Sequence, residues 1–214
     1  HRSTTSNAIM KIENVLVAGG YGTIGQTVCQ RLDAWGPGDV VVAGRTPGKA
    51  RRFAATAAAF RPARLDVGDP STFDAALDGV DAAVVCLDAK DPAFAEACLR
   101  RGVHYVDISP TDALLRRIED LDDLARAQGA TALLSVGLSP GITNLFVREA
   151  ARRLDAVQRA DITLGLGLGE AFGPDTIAWT VDEALRPFTL REGGSRRRVR
   201  GFSEPRIVDL AGWG

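Results

Sequence analysis

The chain has 214 residues, of which 45% are hydrophobic and 25% charged, and a formal net charge of −1. At ~100–200 residues per domain this allows one full α/β domain and the start of another. The near-neutral charge offers no field for nucleic acid, and no apolar stretch approaches the ~20 residues of a membrane span. Cys29, Cys86 and Cys98 are odd in number, far apart and set in apolar runs. They read as reduced core thiols of a cytoplasmic protein, with no disulfide or metal-ligand spacing.

Residues 1–9 read as a tag remnant ahead of a native start near Met10. Over residues 14–154 short apolar runs alternate with longer helix-period segments, the signature of βαβ units around a parallel sheet. Strands are predicted at 15–18, 40–43, 63–67, 82–87, 104–108 and 131–136. Thr46-Pro47, Asp69-Pro70, Asp91-Pro92, Ser109-Pro110 and Ser139-Pro140 each set a capping side chain before a proline that suits the first helical position. Gly36, Gly102 and Gly129 stand where a left-handed residue would close a helix. A helix over 112–128 carries Leu114, Leu115, Ile118, Leu121 and Leu124 as its apolar stripe. The expected fold is therefore α/β, a doubly wound parallel Rossmann sheet over residues 10–155.

The pattern changes near residues 155–159. Ile162, Leu164, Leu166 and Leu168 alternate with Thr163, Gly165, Gly167 and Gly169, as in a strand with one face buried. A helix over 175–186 follows, then a hairpin of 188–191 and 196–200 about Glu192-Gly193-Gly194-Ser195. Residues 156–214 thus read as the start of a second α+β domain, with too few strands for a sizeable sheet. That expectation makes the chain a piece of a longer protein.

Gly20-Tyr21-Gly22-Thr23-Ile24-Gly25 is a GxGxxG between a predicted strand and a predicted helix. Gly20 is expected to permit the tight turn, Gly22 to let the backbone approach a pyrophosphate, and Gly25 to let the helix pack closely. The free N–H groups of the helix opening at Thr23 then face the phosphates. A bare glycine turn without ligand is the alternative. The second strand ends Ala43-Gly44-Arg45-Thr46, with no carboxylate to take a ribose 2′-hydroxyl. Arg45 could clasp a 2′-phosphate instead, helped by Thr46, Lys49 and Arg52, which favours NADP over NAD; otherwise Arg45 is a plain surface arginine. Asp66 is a candidate for the adenine amino group or for capping its own loop.

In such a sheet the reacting groups meet the loops after strands four, five and six. Cys86 lies there and is counted with the cofactor site. Asp107, among apolar neighbours, is the candidate acid–base, since burial would raise its pKa; alternatively it holds neighbouring backbone N–H groups. Ser139 is expected to cap its own helix, whose N-terminus could hold a substrate carboxylate oriented by Thr143 and Asn144. The Tyr-x-x-x-Lys of short-chain dehydrogenases is absent, because Tyr21 is followed four residues later by Gly25 and Tyr105 by Ser109. His104, the one histidine after the tag, begins a strand and reads as structural. Arg196-Arg197-Arg198 with Arg200 reads as a solvated hairpin.

VLVAGGYGTIG, VVAGRT, LDVGD, RRGVHYVDIS and GLSPGITN, in this order, resemble the saccharopine dehydrogenase-like family, NADP-type members included. The similarity spans about Val15 to Leu168. It implies nicotinamide-dependent oxidation or reduction at a carbon–nitrogen bond, with a second domain that covers the substrate and forms a homodimer. Members that make saccharopine have a Thr-Ser-Tyr-like end to the fifth strand and an Asp in a GLDPG loop; Ile108-Ser109-Pro110 and Ser139 stand there here. The resemblance therefore implies the chemistry and not saccharopine itself. The leading expectation is an NADP-dependent oxidoreductase for a small amino-acid-derived imine or carbonyl compound. The alternatives are a non-catalytic NADP-binding sensor or scaffold, and an NmrA-like atypical short-chain member, which would share the glycine loop but not GLSPGITN.

Overall fold

A computed structural model describes residues 12–36, 38–164, 177, 181–182, 185–192, 194–201, 203 and 207. The chain divides into two compact units, residues 1–163 and 164–214.

The first unit runs β1 (Val15–Ala18), α1 (Thr23–Trp35), β2 (Val40–Gly44), α2 (Pro47–Ala54) and β3 (Phe60–Arg64). A 3-10 turn, Pro70–Thr72, leads into α3 (Phe73–Leu77), then β4 (Ala82–Val85), α4 (Ala93–Arg100) and β5 (His104–Asp107). The unit continues with α5 (Asp112–Glu119), α6 (Asp122–Ala127), β6 (Ala132–Leu133) and α7 (Ile142–Ala151). The six strands form one sheet, ordered β3-β2-β1-β4-β5-β6 and parallel throughout. The order reverses between β1 and β4, and a ligand crevice opens at that switch point. This is the expected doubly wound Rossmann architecture.

β1, β2 and β4 read as continuous apolar runs because both faces of the sheet are covered there. Leu16, Ala18, Val41, Ala43, Ala83 and Val85 face one layer with Phe73, Phe94, Leu99 and Tyr105. Val17, Val40 and Val42 face the other with Cys29, Ala54 and Phe60. Successive residues of one strand thus serve opposite cores, as the two-residue period of a strand requires. In the first layer the rings of Phe73 and Phe94 meet edge to face at 5.1 Å.

Several expected elements shift. β3 lies three residues before its predicted start because Pro62 sits inside it, paired with Val42. An edge strand tolerates a proline, and the mostly exposed side chains of β3 give no apolar run to read. β6 keeps only two residues, with Ser135 at a positive φ of 55 just beyond. The predicted helix over 112–128 breaks at Asp120 and Leu121 into α5 and α6, although buried Leu114, Ile118 and Ala125 keep one apolar side. Gly36, Gly102 and Gly129 do adopt positive φ, at 69, 72 and 66.

The proline pairs divide. Thr46 and Asp69 are cap residues as expected, and Asp91 Oδ1 accepts from Ala93 N at 2.9 Å at the start of α4. Ser109-Pro110 and Ser139-Pro140 start no helix; α5 is capped at Thr111 and α7 at Gly141.

In the second unit β7 (Pro187–Glu192) and β8 (Ser195–Arg200) pair antiparallel, the expected hairpin, with Gly194 at a φ of 81 in the connection. Residues 177, 181, 182 and 185, within the expected helix over 175–186, are helical. Of the expected strand over 162–168, residues 162–164 are irregular and the rest falls outside the described residues, as does the expected tag remnant. Among the described residues no helix is long and apolar enough to cross a membrane.

Leu16 lies at the centre of the sheet with 0% exposure. Leu16→Ala is expected to cost about 2–5 kcal/mol, read as a lower urea midpoint at unchanged slope.

Candidate functional site

Backbone register lines up the carboxyl ends of the central strands: Ala18 lies opposite Ala43 and Val85, and Val85 opposite Asp107. The turn after Ala18 is stitched to this row. Gly19 N donates to Ala43 O at 2.9 Å, Gly20 N to Ala43 O and Val17 O at 3.1 Å, and Gly22 N to Gly19 O at 2.8 Å.

Each glycine answers a separate constraint. The left-handed residue is Gly19, at a φ of 77, and not Gly20 as the motif suggested. Gly20 is instead a close approach, since a Cβ there would lie 2.9 Å from Val17 O and 3.2 Å from Val42 Cα. A Cβ on Gly25 would overlap Gly19 O, so the first turn of α1 presses directly on the bend. Gly22 is exposed, and beyond Gly19 O at 3.1 Å a Cβ there would meet nothing within 4 Å. Open space in front of bare backbone is the room a pyrophosphate needs.

The N–H groups of Thr23, Ile24 and Gly25, all in the first turn of α1, find no backbone acceptor outside the helix among the described residues. First-turn donors have none inside it either. Neither α1 nor α2 carries an acidic residue in its first turn, whereas α3, α4, α5 and α6 carry Asp74, Glu96, Asp112 and the pair Asp122 and Asp123. α1 and α2, which open after the neighbouring strands β1 and β2, thus keep their positive ends for an anion that no residue of their own first turns supplies. The glycine turn fits a dinucleotide pyrophosphate.

At the end of β2, Arg45 is exposed and has no carboxylate partner among the described residues. Thr46, Lys49 and Arg52 are exposed beside it on the loop and α2. Tyr21 reaches across from the glycine turn: its hydroxyl accepts from Thr46 N at 3.0 Å. Asp66 lies two residues past β3, and its Oδ1 accepts from Gly68 N at 3.1 Å, so the carboxylate does cap its own loop.

Cys86 follows the end of β4, with its N–H donating to Ala18 O at 2.9 Å and its carbonyl against Gly19. Burial, with Asp107 as the lesser cause, pushes its thiol up to about 12, which leaves it neutral and a poor nucleophile. Asp107 itself is 0% exposed. Tyr105 Oη donates to its Oδ2 at 2.8 Å, and Ser109 N donates to its Oδ1. The carboxylate has no exposed surface and both oxygens engaged, and its bond from Ser109 N is the backbone-holding role that was the alternative to acid–base work. Burial raises its pKa; the Tyr105 and Ser109 bonds oppose that, and Asp88 adds to it. His104 is structural as expected, its Nδ1 accepting from Thr131 N at 3.0 Å.

Beyond β6 the anion expectation also changes form. Gly141, at a φ of 133, caps α7 in place of Ser139, and a Cβ there would overlap Gly137. Ile142 N donates to Gly137 O at 2.9 Å and Thr143 N to Leu138 O at 3.1 Å, so these donors are already spent. Side chains remain: Ser139 and Asn144 are exposed, and Thr143 Oγ1 donates to Asn144 Oδ1 at 3.2 Å, which leaves the Asn144 amide donors outward. The contact that the sequence reading missed is Tyr21 with Gly44 and Thr46. An aromatic inside the glycine loop, with a glycine ending the next strand, was its only signal.

Comparison with known proteins agrees with this geometry. The family model described as the saccharopine dehydrogenase NADP binding domain matches residues 15–133. The chain is 28% identical over 170 residues to carboxyaminopropylagmatine dehydrogenase of Synechocystis sp., an alignment covering 69% of this chain and 40% of that protein. The apo saccharopine dehydrogenase (L-Glu forming) of Saccharomyces cerevisiae superposes with a TM-score of 0.58 at 27% identity, over 66% of this chain and 31% of that one. The chain thus spans well under half the length of these two relatives.

The buried carboxylate gives a pH test. A carboxyl whose folded pKa lies above its unfolded one favours the fold most when protonated, and that contribution is lost as pH rises from the unfolded value through the folded one. Asp107→Asn, always neutral, is therefore expected to gain stability relative to the parent protein as pH rises from the ordinary aspartate value of ~4 towards neutrality. Urea titrations of both proteins across that range decide it; a difference independent of pH would contradict the raised pKa.

Proposed function

The chain belongs to the family of saccharopine dehydrogenase NADP-binding domains, whose cofactor is NADP, and from that premise we propose that it serves an oxidoreductase acting at a carbon–nitrogen bond of a small amino-acid-derived substrate. One observation carries this reading: an open glycine cradle at the β1 end and an unpartnered Arg45 at the adjoining β2 end, flanked by helix N-termini without acids. The two relatives are both named as dehydrogenases, one of them L-Glu forming, which supports the substrate class.

NADP, when bound, supplies or takes up the hydride. The chain's part is holding and orienting. The first-turn N–H groups of Thr23, Ile24 and Gly25 hold the pyrophosphate, with Gly20 and Gly22 giving the room. Arg45 clasps the 2′-phosphate in a fork that matches its oxygens, with Thr46, Lys49 and Arg52 beside it. The second oxygen of Asp66 remains for the adenine amino group. Cys86 and the Asp107–Tyr105 pair form the floor at the ends of β4 and β5. Ser139 and Asn144 offer side-chain donors to a substrate carboxylate, with Thr143 orienting the Asn144 amide. The free thiols Cys29, Cys86 and Cys98 support a cytoplasmic location. Dimerisation through the second unit remains part of the proposal.

A second reading, an NADP-binding sensor or scaffold without turnover, draws on the sealing of Asp107, which leaves the ends of β4 and β5 without an accessible acid or base at that position. Steady NADPH oxidation with a panel of carbonyl compounds and amines would support the enzyme. Tight NADPH binding with no turnover on any of them would move the choice to the sensor. In either case Arg45→Ala is expected to weaken NADP about tenfold to a hundredfold, roughly 1.4–2.8 kcal/mol, while NAD changes less than about twofold. Calorimetric titration with both nucleotides measures this, and equal losses for the two would remove Arg45 from the 2′-phosphate.

A further inference from the structure

We propose that Tyr21 determines cofactor specificity: its hydroxyl, pinned by the Thr46 N–H, holds the Arg45 turn against the glycine loop and donates its own proton to the 2′-phosphate. This rests on the NADP reading above and adds to it a role for a residue that the glycine motif leaves undefined.

Three anchors fix the side chain. Gln26 Nε2, from α1, donates to the Tyr21 carbonyl at 2.9 Å and steadies its backbone. The half-buried ring packs with the core layer that contains Val42 and Cys29. It also occupies the space a side chain would take at Gly44, where a Cβ would lie 2.5 Å from Tyr21 Cε1 and 2.7 Å from Cζ and Oη. Gly44 is therefore required by the ring and not by its own backbone, since it has no positive φ.

The hydroxyl then does two things at once. It accepts from Thr46 N at 3.0 Å, closing a link across the crevice between the β1 turn and the β2 turn. Arg45 is the residue held between Gly44 under the ring and Thr46 under the hydroxyl, so the link sets where its guanidinium starts. The phenolic proton has no acceptor among the described residues. A phenol that accepts from a backbone amide keeps its O–H to give, and a phosphate oxygen beside an arginine is the acceptor that rewards it most, through a charge-assisted bond. A ribose 2′-hydroxyl brings no such charge. Tyr21 therefore discriminates between the two nucleotides, whereas the amide cradle alone binds both.

The test compares 2′,5′-ADP with 5′-AMP, and NADP with NAD, by calorimetry on the whole chain. Tyr21→Phe keeps the ring against Gly44 and removes both hydroxyl bonds. It is expected to weaken 2′,5′-ADP and NADP about tenfold and to leave 5′-AMP and NAD within about twofold. Gly44→Ala, which displaces the ring while retaining the hydroxyl, is expected to lower the same preference, with circular dichroism confirming the fold of both variants. An unchanged preference in Tyr21→Phe, or equal losses for 2′,5′-ADP and 5′-AMP, overturns the proposal. Wild-type protein with no preference for 2′,5′-ADP overturns the NADP reading along with it. A preference that Arg45→Ala abolishes and Tyr21→Phe does not touch sinks the tyrosine's role alone.

Discussion

The first unit is organised by one close approach, that of the Gly25 backbone to the Gly19 carbonyl. Because no Cβ intervenes, α1 begins immediately above the ends of β1 and β4, where the strand order reverses. The bend below it cannot drift, since the Gly19 and Gly20 N–H groups are consumed by Ala43 and Val17. A methyl group at Gly25 would lift the helix off the bend and aim its free donors elsewhere. The glycines therefore divide the labour: one supplies the left-handed bend, one the contact with β2, one the open approach and one the helix contact.

Charge follows the same division. Along the exposed helices acids meet arginines one turn on, as in Glu96 with Arg100, Asp112 with Arg116 and Asp122 with Arg126. Such exposed pairs contribute little to stability because solvent screens them. They do occupy the arginines and quiet the helix ends. After β1 and β2 the pattern stops: the first turns of α1 and α2 carry no acid and Arg45 is unpaired among the described residues, whereas α4, beyond the switch point, carries Glu96. A helix dipole and a guanidinium left uncompensated on one rim together favour an anion with more than one phosphate.

How much of this was legible depends on whether the controlling contact is local. β1, β2 and β4 announce themselves because burial on both faces leaves nothing but apolar residues in them, whereas β5, His104–Asp107, is read from its place between helix signals. β3 does not, because an edge strand with Pro62 and exposed arginines carries no such run. Ser-Pro pairs mark turns as readily as helix starts; at Ser109 and Ser139 the neighbouring loop and Gly141 took the cap role. NADP was expected from the local pattern at the end of β2, Arg45 where a carboxylate would favour NAD, and the matching family model is that of an NADP-binding domain. The contact of Tyr21 with Gly44 and Thr46 was not, since it joins two turns that only the β1–β2 pairing brings together.

Asp107 shows how a residue can be located in sequence while its partners are not. Its place at a strand end was visible, as was its apolar surround, and both fit an acid–base group with a raised pKa. The deciding partner is Tyr105, two residues earlier and so on the same face of β5, which seals one oxygen while the Ser109 N–H takes the other. The consequence for the crevice is chemical quiet. Burial of this cluster, with the Asp107 charge as the lesser cause, holds the Tyr105 phenol and the Cys86 thiol protonated. The thiol of Cys86 and the phenol of Tyr105 therefore offer no nucleophile near neutral pH. The Asp107 carboxylate, through its bond from Ser109 N, ties the loop beyond β5 to the strand end.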